Sequence, residues 1–172
     1  MRFNVAQLLK SEAGASKEYE LNEDLAGIDE NLEVTRPLTG KVRLLRTDSG
    51  ILVTGQLRTE VSVPCRRCLT PVTVPVEFHL EEEFRPSVDI FTGRVKPVED
   101  GEDESTRMDE HHILDLTEVT RQNLSLAAPF APLCGADCRG LCPGCGANLN
   151  EEACTCQREE GDPRLAVLRE LL

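Results

Sequence analysis

Six of the chain's eight cysteines fall between Cys134 and Cys156, in the spacing C-x3-C-x3-C-x2-C-x8-C-x-C. A segment this short cannot bury a core of its own, so cross-links between its thiols must hold it together. In a secreted chain such a set would read as a disulfide framework. The start, Met1-Arg2-Phe3-Asn4, lacks the charge-then-apolar pattern of a secretory leader. No apolar run approaches the roughly 20 residues that cross a bilayer. The expectation is therefore a soluble, cytoplasmic protein without membrane contact, whose cysteines serve as thiolates for a metal ion.

Zinc takes four thiolates tetrahedrally at about 2.3 Å, and a two-residue gap within a tight turn brings two sulfurs onto one ion. Cys142-Pro143-Gly144-Cys145-Gly146 has that form. Pro143 fixes one dihedral, while Gly144 and Gly146 permit positive φ and let backbone amides turn toward the sulfurs. Cys142 and Cys145 are assigned on this ground. Two further ligands must come from Cys134, Cys138, Cys154 and Cys156, among which spacing does not choose. The expectation is Cys138 with Cys156, Cys134 and Cys154 being the alternates, for one structural Zn2+ per chain.

Cys65-Arg66-Arg67-Cys68 lies between two predicted strands. Three readings compete: a share in the site of Cys142 and Cys145, a redox dithiol activated by Arg66 and Arg67, and a plain β-turn with occasional metal or disulfide occupancy. The turn ranks first. A redox C-x-x-C pair normally opens a helix near a βαβ pattern, a context that neither pair has. His79, on the polar face of a strand, and His111-His112, ahead of a helix, read as surface residues. No G-x-S-x-G, H-E-x-x-H or P-loop pattern occurs, so neither an enzyme nor a small-molecule substrate is expected.

Aromatic residues are 3% of the chain and Trp is absent, so the core must rest on Val, Leu and Ile, which favours strands. The first forty residues show little beyond a short strand or helix at Phe3–Leu9. Val42 and Leu44, the turn Asp48-Ser49-Gly50, then Ile51, Val53, Leu57, Val61 and Val63 predict a β-hairpin. Val72, Val74, Val76, Phe78, Leu80 and Phe84 continue the period of two and predict a third strand, with Pro71 and Pro75 marking a sheet edge or an irregular start. About 85–110 reads as a mobile acidic loop. Leu116, Val119, Asn123, Leu124 and Ala127 predict an amphipathic helix over about 115–128, capped by Asp115 or Thr117 and ended by Pro129. Asp162-Pro163 opens a short terminal helix carrying Leu165, Leu168 and Leu172. The fold class is thus α+β: a small antiparallel β-meander with one or two packing helices over 1–128, then a cysteine-rich zinc-binding module over 129–172.

The formal net charge is −12, and it is uneven. Glu77 to Glu118 holds 14 acids against 4 bases, whereas the remaining 130 residues hold 17 against 15. Affinity for phosphate backbones comes mostly from Lys and Arg displacing counterions, so this balance points to a basic protein partner.

The hairpin followed by Cys65-Arg66-Arg67-Cys68-Leu69, the run Leu133-Cys134, then Cys138-Arg139-Gly140-Leu141-Cys142-Pro143-Gly144-Cys145-Gly146-Ala147-Asn148-Leu149-Asn150, and finally Asp162-Pro163-Arg164, together resemble the YceD family of large ribosomal RNA subunit accumulation proteins. The resemblance extends from about Leu38 to the chain's end. It implies a bacterial or plastid protein needed for normal levels of large-subunit ribosomal RNA. Zinc does not follow from it, because members vary in their C-terminal cysteines. An RNA-protective factor would be expected to be basic. The acidity of this chain suggests instead that Glu99, Asp100, Glu102, Asp103 and Glu104 engage a basic ribosomal protein or rRNA-processing factor, with Arg66 and Arg67 adding a local positive contact. Direct contact with large-subunit ribosomal RNA and thiol-disulfide exchange at Cys65 and Cys68 are the rival functions.

Overall fold

The computed structural model describes residues 1–30, 32–98, 101 and 103–156. The chain divides into two compact units. The first comprises Met1–Val63 and Thr73–Phe130; the second takes Pro64–Val72 together with the chain from Ala131 onward. The expected boundary at 128/129 therefore misses a piece: the loop carrying Cys65 and Cys68 belongs with the distant cysteines.

Among the described residues, the first unit holds two sheets. In the larger, β2 (Ser16–Glu23), β4 (Leu38–Arg46), β5 (Ile51–Pro64), β6 (Pro71–Pro86) and β7 (Arg107–Met108) follow in that order, and β3 (Glu33–Val34) also pairs with β5. Strands β2 and β4, and β4 and β5, run antiparallel with Tyr19 opposite Val42 and Leu44 opposite Val53. In the smaller sheet, β1 (Arg2–Asn4) lies antiparallel to β8 (Ile113–Asp115). The unit also holds helices α1 (Ala6–Leu9) and α2 (Thr117–Ala127). One departure from a pure antiparallel meander is β7, which joins β6 in parallel through Arg85 and Pro86.

Alternation explains the three long strands. Val42, Leu44, Ile51, Val53, Leu57, Val61, Val76, Leu80 and Phe84 are buried, while Lys41, Arg43, Glu77, His79 and Glu81 between them are exposed or half-buried. The hairpin turn is fastened to β6. Thr47 Oγ1 and Ser49 Oγ donate to Glu83 Oε1 at 2.7 and 2.5 Å, and Gly50 N–H donates to Thr47 Oγ1 at 2.9 Å. A Cβ on Gly50 would stand 2.0 Å from the Phe84 carbonyl oxygen, so only glycine fits there. Leu116, Val119 and Leu124 of the predicted helix enter the core, and Asp115 Oδ1 accepts from the Thr117 N–H and hydroxyl at its start.

The acidic loop is more ordered than its composition suggests. Asp89 Oδ1 accepts from the N–H groups of Phe91 and Thr92 and from the Thr92 hydroxyl, and Val88 bridges to Val95. Met108 is 1% exposed and joins the core. Asp103 caps a single 3-10 turn at Glu104–Thr106. Glu99, Asp100, Glu102 and the predicted terminal helix from Asp162 lie outside the described residues.

Candidate metal centres

The second unit is built on two chain reversals of one design. At the first, Leu69 N–H donates to Cys65 O at 2.9 Å and Cys65 N–H to Thr70 O at 2.9 Å. At the second, Gly146 N–H donates to Cys142 O and Cys142 N–H to Ala147 O, both at 2.8 Å. Each C-x-x-C pair thus occupies a short knuckle whose inward N–H groups face sulfur. A Pro-Gly pair fills the second, and Arg66-Arg67 the first.

Each knuckle meets a different second pair. Cys65, Cys68, Cys134 and Cys138 form one group and Cys142, Cys145, Cys154 and Cys156 another, with all Sγ atoms of a group within 4.8 Å of each other. In the first, Cys65 Sγ lies 3.9 Å from Cys138 Sγ and Cys68 Sγ 3.5 Å from Cys134 Sγ. In the second, Cys154 Sγ lies 3.3 Å from Cys142 Sγ and 3.4 Å from Cys145 Sγ. A tetrahedral zinc with bonds of about 2.3 Å separates its sulfurs by about 3.8 Å, so both groups fit such an ion. All eight thiols are free of disulfides.

Two expectations need correcting. Cys138 is not a partner of Cys142 and Cys145: it is drawn back to the first knuckle, where Arg67 Nη1 donates to its carbonyl oxygen at 2.9 Å and Asn150 Nδ2 to its sulfur at 3.4 Å. Its place is taken by Cys154, beside Cys156. Cys65 and Cys68 are more than a turn, and the chain offers two groups of four cysteines rather than one. Spacing hid this because Cys134 comes 66 positions after Cys68. The visible signal was numerical, since eight cysteines make two sets of four.

The local fields favour thiolates at the knuckles. N–H groups of Cys68, with those of Arg67 and Cys134, hold the Cys65 thiol down to about 6 despite burial. Those of Cys145 and Gly144 do the same for Cys142, also to about 6. The opposite pairs carry the electrostatic conflict. Cys134 is pushed up to about 12, chiefly by Cys138 and then Cys68, and Cys156 up to about 12, chiefly by Cys154 and then Cys145. Four sulfurs so close cannot all ionise unaided; a dication removes the conflict.

The large ribosomal RNA subunit accumulation protein YceD family matches residues 53–172, a span containing all eight cysteines. The chain belongs to the YceD family. Among relatives, a Mycobacterium tuberculosis (strain H37Rv) protein described as uncharacterized is 34% identical over 136 residues, covering 76% of this chain and 60% of the relative. The Arabidopsis thaliana chloroplastic "large ribosomal RNA subunit accumulation protein YCED homolog 1" is 28% identical over 146 residues, covering 73% and 46%. Bacillus subtilis YlbN, likewise described as uncharacterized, is 25% identical over 171 residues, covering 99% and 94%. This YceD chain spans 60% of the length of the mycobacterial relative. No solved structure matches it.

The remaining predicted site residues are dispersed. Arg66 and Arg67 are exposed on the first knuckle, but Arg67 is engaged with Cys138, and Arg139 donates through Nε to Leu149 O at 2.6 Å. Asp103 and Glu104 belong to the first unit. His79 and His111 are exposed surface residues, and no histidine joins a thiol group among the described residues. No described helix is long and apolar enough to cross a membrane.

Proposed function

We propose that this YceD protein is a non-enzymatic factor that supports accumulation of large-subunit ribosomal RNA, acting through a basic protein partner, with zinc as the structural metal of both thiolate groups. The observation that carries the reading is the family match over residues 53–172, with plant relatives named for large ribosomal RNA subunit accumulation.

Two features support a protein partner over direct contact with RNA. The segment after β6 combines acids with exposed apolar side chains: Phe91 is 74% exposed, Val95 78% and Val98 67%. An aromatic anchor in acidic surroundings suits a basic protein with an apolar pocket. In the second unit, Arg67 and Arg139 are committed to backbone carbonyls. Zinc with four thiolates also carries a net charge of about −2, which repels phosphate.

The test has two arms. Cells lacking the protein should show a fall in large-subunit relative to small-subunit ribosomal RNA, restored by the parent gene. Purified protein should bind proteins extracted from large ribosomal subunits, and lose that binding on Phe91→Ala or on charge reversal of Glu99, Asp100, Glu102, Asp103 and Glu104. Unchanged RNA ratios sink the function; unchanged binding by both variants sinks the acidic route.

A further inference from the structure

The two cysteine groups share a knuckle design but not an environment. In the first, Cys65, Cys68 and Cys138 are buried at 0%, 5% and 6% exposure, and Val72 and Leu141 pack against them. Only Cys134 is exposed. In the second, Cys142 is buried, Cys154 is half-buried, and Cys145 and Cys156 are exposed. The first group is also braced from outside its own ligand segments, by Asn150 Nδ2 on Cys138 Sγ. The second is bonded from within: Gly144 N–H donates to Cys142 Sγ at 3.4 Å and Cys156 N–H to Cys154 Sγ at 3.2 Å.

The dependence between them is unequal: one side-chain bond, from Asn150, reaches the first group from the second's segment, whereas the second knuckle rests on the first through its backbone. The second knuckle stands on the first: Leu141 N–H donates to Arg67 O at 3.0 Å, and Asn148 Nδ2 reaches Thr70 Oγ1 at 3.5 Å. Gly140, at φ 76, lies so close that an added Cβ would meet Arg67 O at 3.0 Å. Opening the second group frees a local loop of one segment. Opening the first removes the platform on which that loop is laid.

We infer that Cys142, Cys145, Cys154 and Cys156 form an exchangeable zinc site, and Cys65, Cys68, Cys134 and Cys138 a permanent one. The inference rests on the reading that both groups hold zinc. Zinc leaves a tetrathiolate when an incoming ligand or proton reaches its sulfurs, and in the second site Cys145 and Cys156 are both exposed residues. The protein therefore passes between a two-zinc and a one-zinc form. It gives up the second ion, with no change of redox state, to any thiolate-rich or chelating acceptor of sufficient affinity, while the first knuckle stays folded.

The test mixes fully loaded protein, its metal content first established, with excess of the zinc chelator 4-(2-pyridylazo)resorcinol and follows release. One zinc should leave at least about tenfold faster than the other, as a locally opening site does beside a buried one. Cys156→Ser should abolish the fast phase and keep the slow one. In the parent, iodoacetamide trapping during the fast phase, mapped by peptide mass, should label Cys142, Cys145, Cys154 and Cys156 before the other four. That readout needs no variant to fold. Release of both ions in one phase, or first labelling at Cys65 and Cys68, overturns the inequivalence alone. Absence of zinc from the starting protein instead overturns the zinc reading beneath it.

Discussion

Leu69 stands in the first knuckle where Gly146 stands in the second: each follows the second cysteine of its pair, and their φ values are 60° and 75°. Both donate N–H to the carbonyl of the first cysteine. The left-handed conformation costs an ordinary L-residue roughly 1–2 kcal/mol and glycine almost nothing. Leu69 is 61% exposed, so packing does not offset its strain. The knuckle hydrogen bonds and the sulfurs that close around them impose it.

The substitutions should therefore be asymmetric. Leu69→Gly relieves the strain but loosens the unfolded chain, for a net gain of about 0.5 kcal/mol. A Cβ at Gly146 meets no atom within 4 Å, but Gly146→Leu incurs the full dihedral cost, so it should destabilise by about 1 kcal/mol. Thermal unfolding of the zinc-loaded protein checks both signs. A loss of stability in Leu69→Gly would show that the leucine side chain contributes something beyond the turn.

Arg67 is expected to act as a brace. Its guanidinium holds the Cys138 carbonyl at 2.9 Å, which places the ligand against a knuckle 71 residues earlier. Arg67→Ala should cost about 1 kcal/mol and speed zinc loss from the first group. Arg66→Ala, at an exposed neighbour, should leave both unchanged. If the two variants weaken binding to ribosomal RNA fragments equally, with the salt dependence reduced in each, Arg67 is a phosphate contact and the direct RNA reading returns.

The long strands and α2 were legible because period-two and helical spacing survive in Ile51 to Val63, Val76 to Phe84, and Leu116 to Leu124. Strand β2 was not, since Ser16–Glu23 buries only Leu21 and lies at the sheet edge, where one apolar residue suffices. The ordered turn at Asp89 escaped notice because side-chain bonds to backbone N–H groups, rather than apolar burial, hold it. At the cysteines, local spacing revealed Cys142 with Cys145. The partition of Cys138 depended on Arg67 and Asn150, contacts that no one-dimensional spacing encodes.

Gly50 should tolerate no side chain. The alanine Cβ would come within 2.0 Å of the Phe84 carbonyl oxygen, so either the β4–β5 turn or the β6 backbone must move. Displacing β6 there disturbs Phe84, which is fully buried. Gly50→Ala should destabilise the first unit by about 3 kcal/mol. Gly101→Ala, with nothing within 4 Å but φ at 87°, should cost only about 1 kcal/mol. Urea midpoints of the two variants rank them; equal midpoints would mean that the turn yields freely.

Glu83 makes the stability of that same turn depend on pH. The Ser49 hydroxyl, and after it that of Thr47, donate to the carboxylate and hold its pKa below the ordinary 4.5. A carboxyl depressed in the folded state contributes stability fully present above its unfolded pKa and lost as pH falls through the folded one. The window thus opens near 4.5 and extends downward. Glu83→Gln should cost about 1 kcal/mol at pH 7 and progressively less below pH 4, because the parent there carries a neutral carboxyl too. Urea midpoints for parent and variant at pH 7 and 3.5 measure the convergence. A gap of constant size would show that shape, rather than charge, fixes the turn to β6.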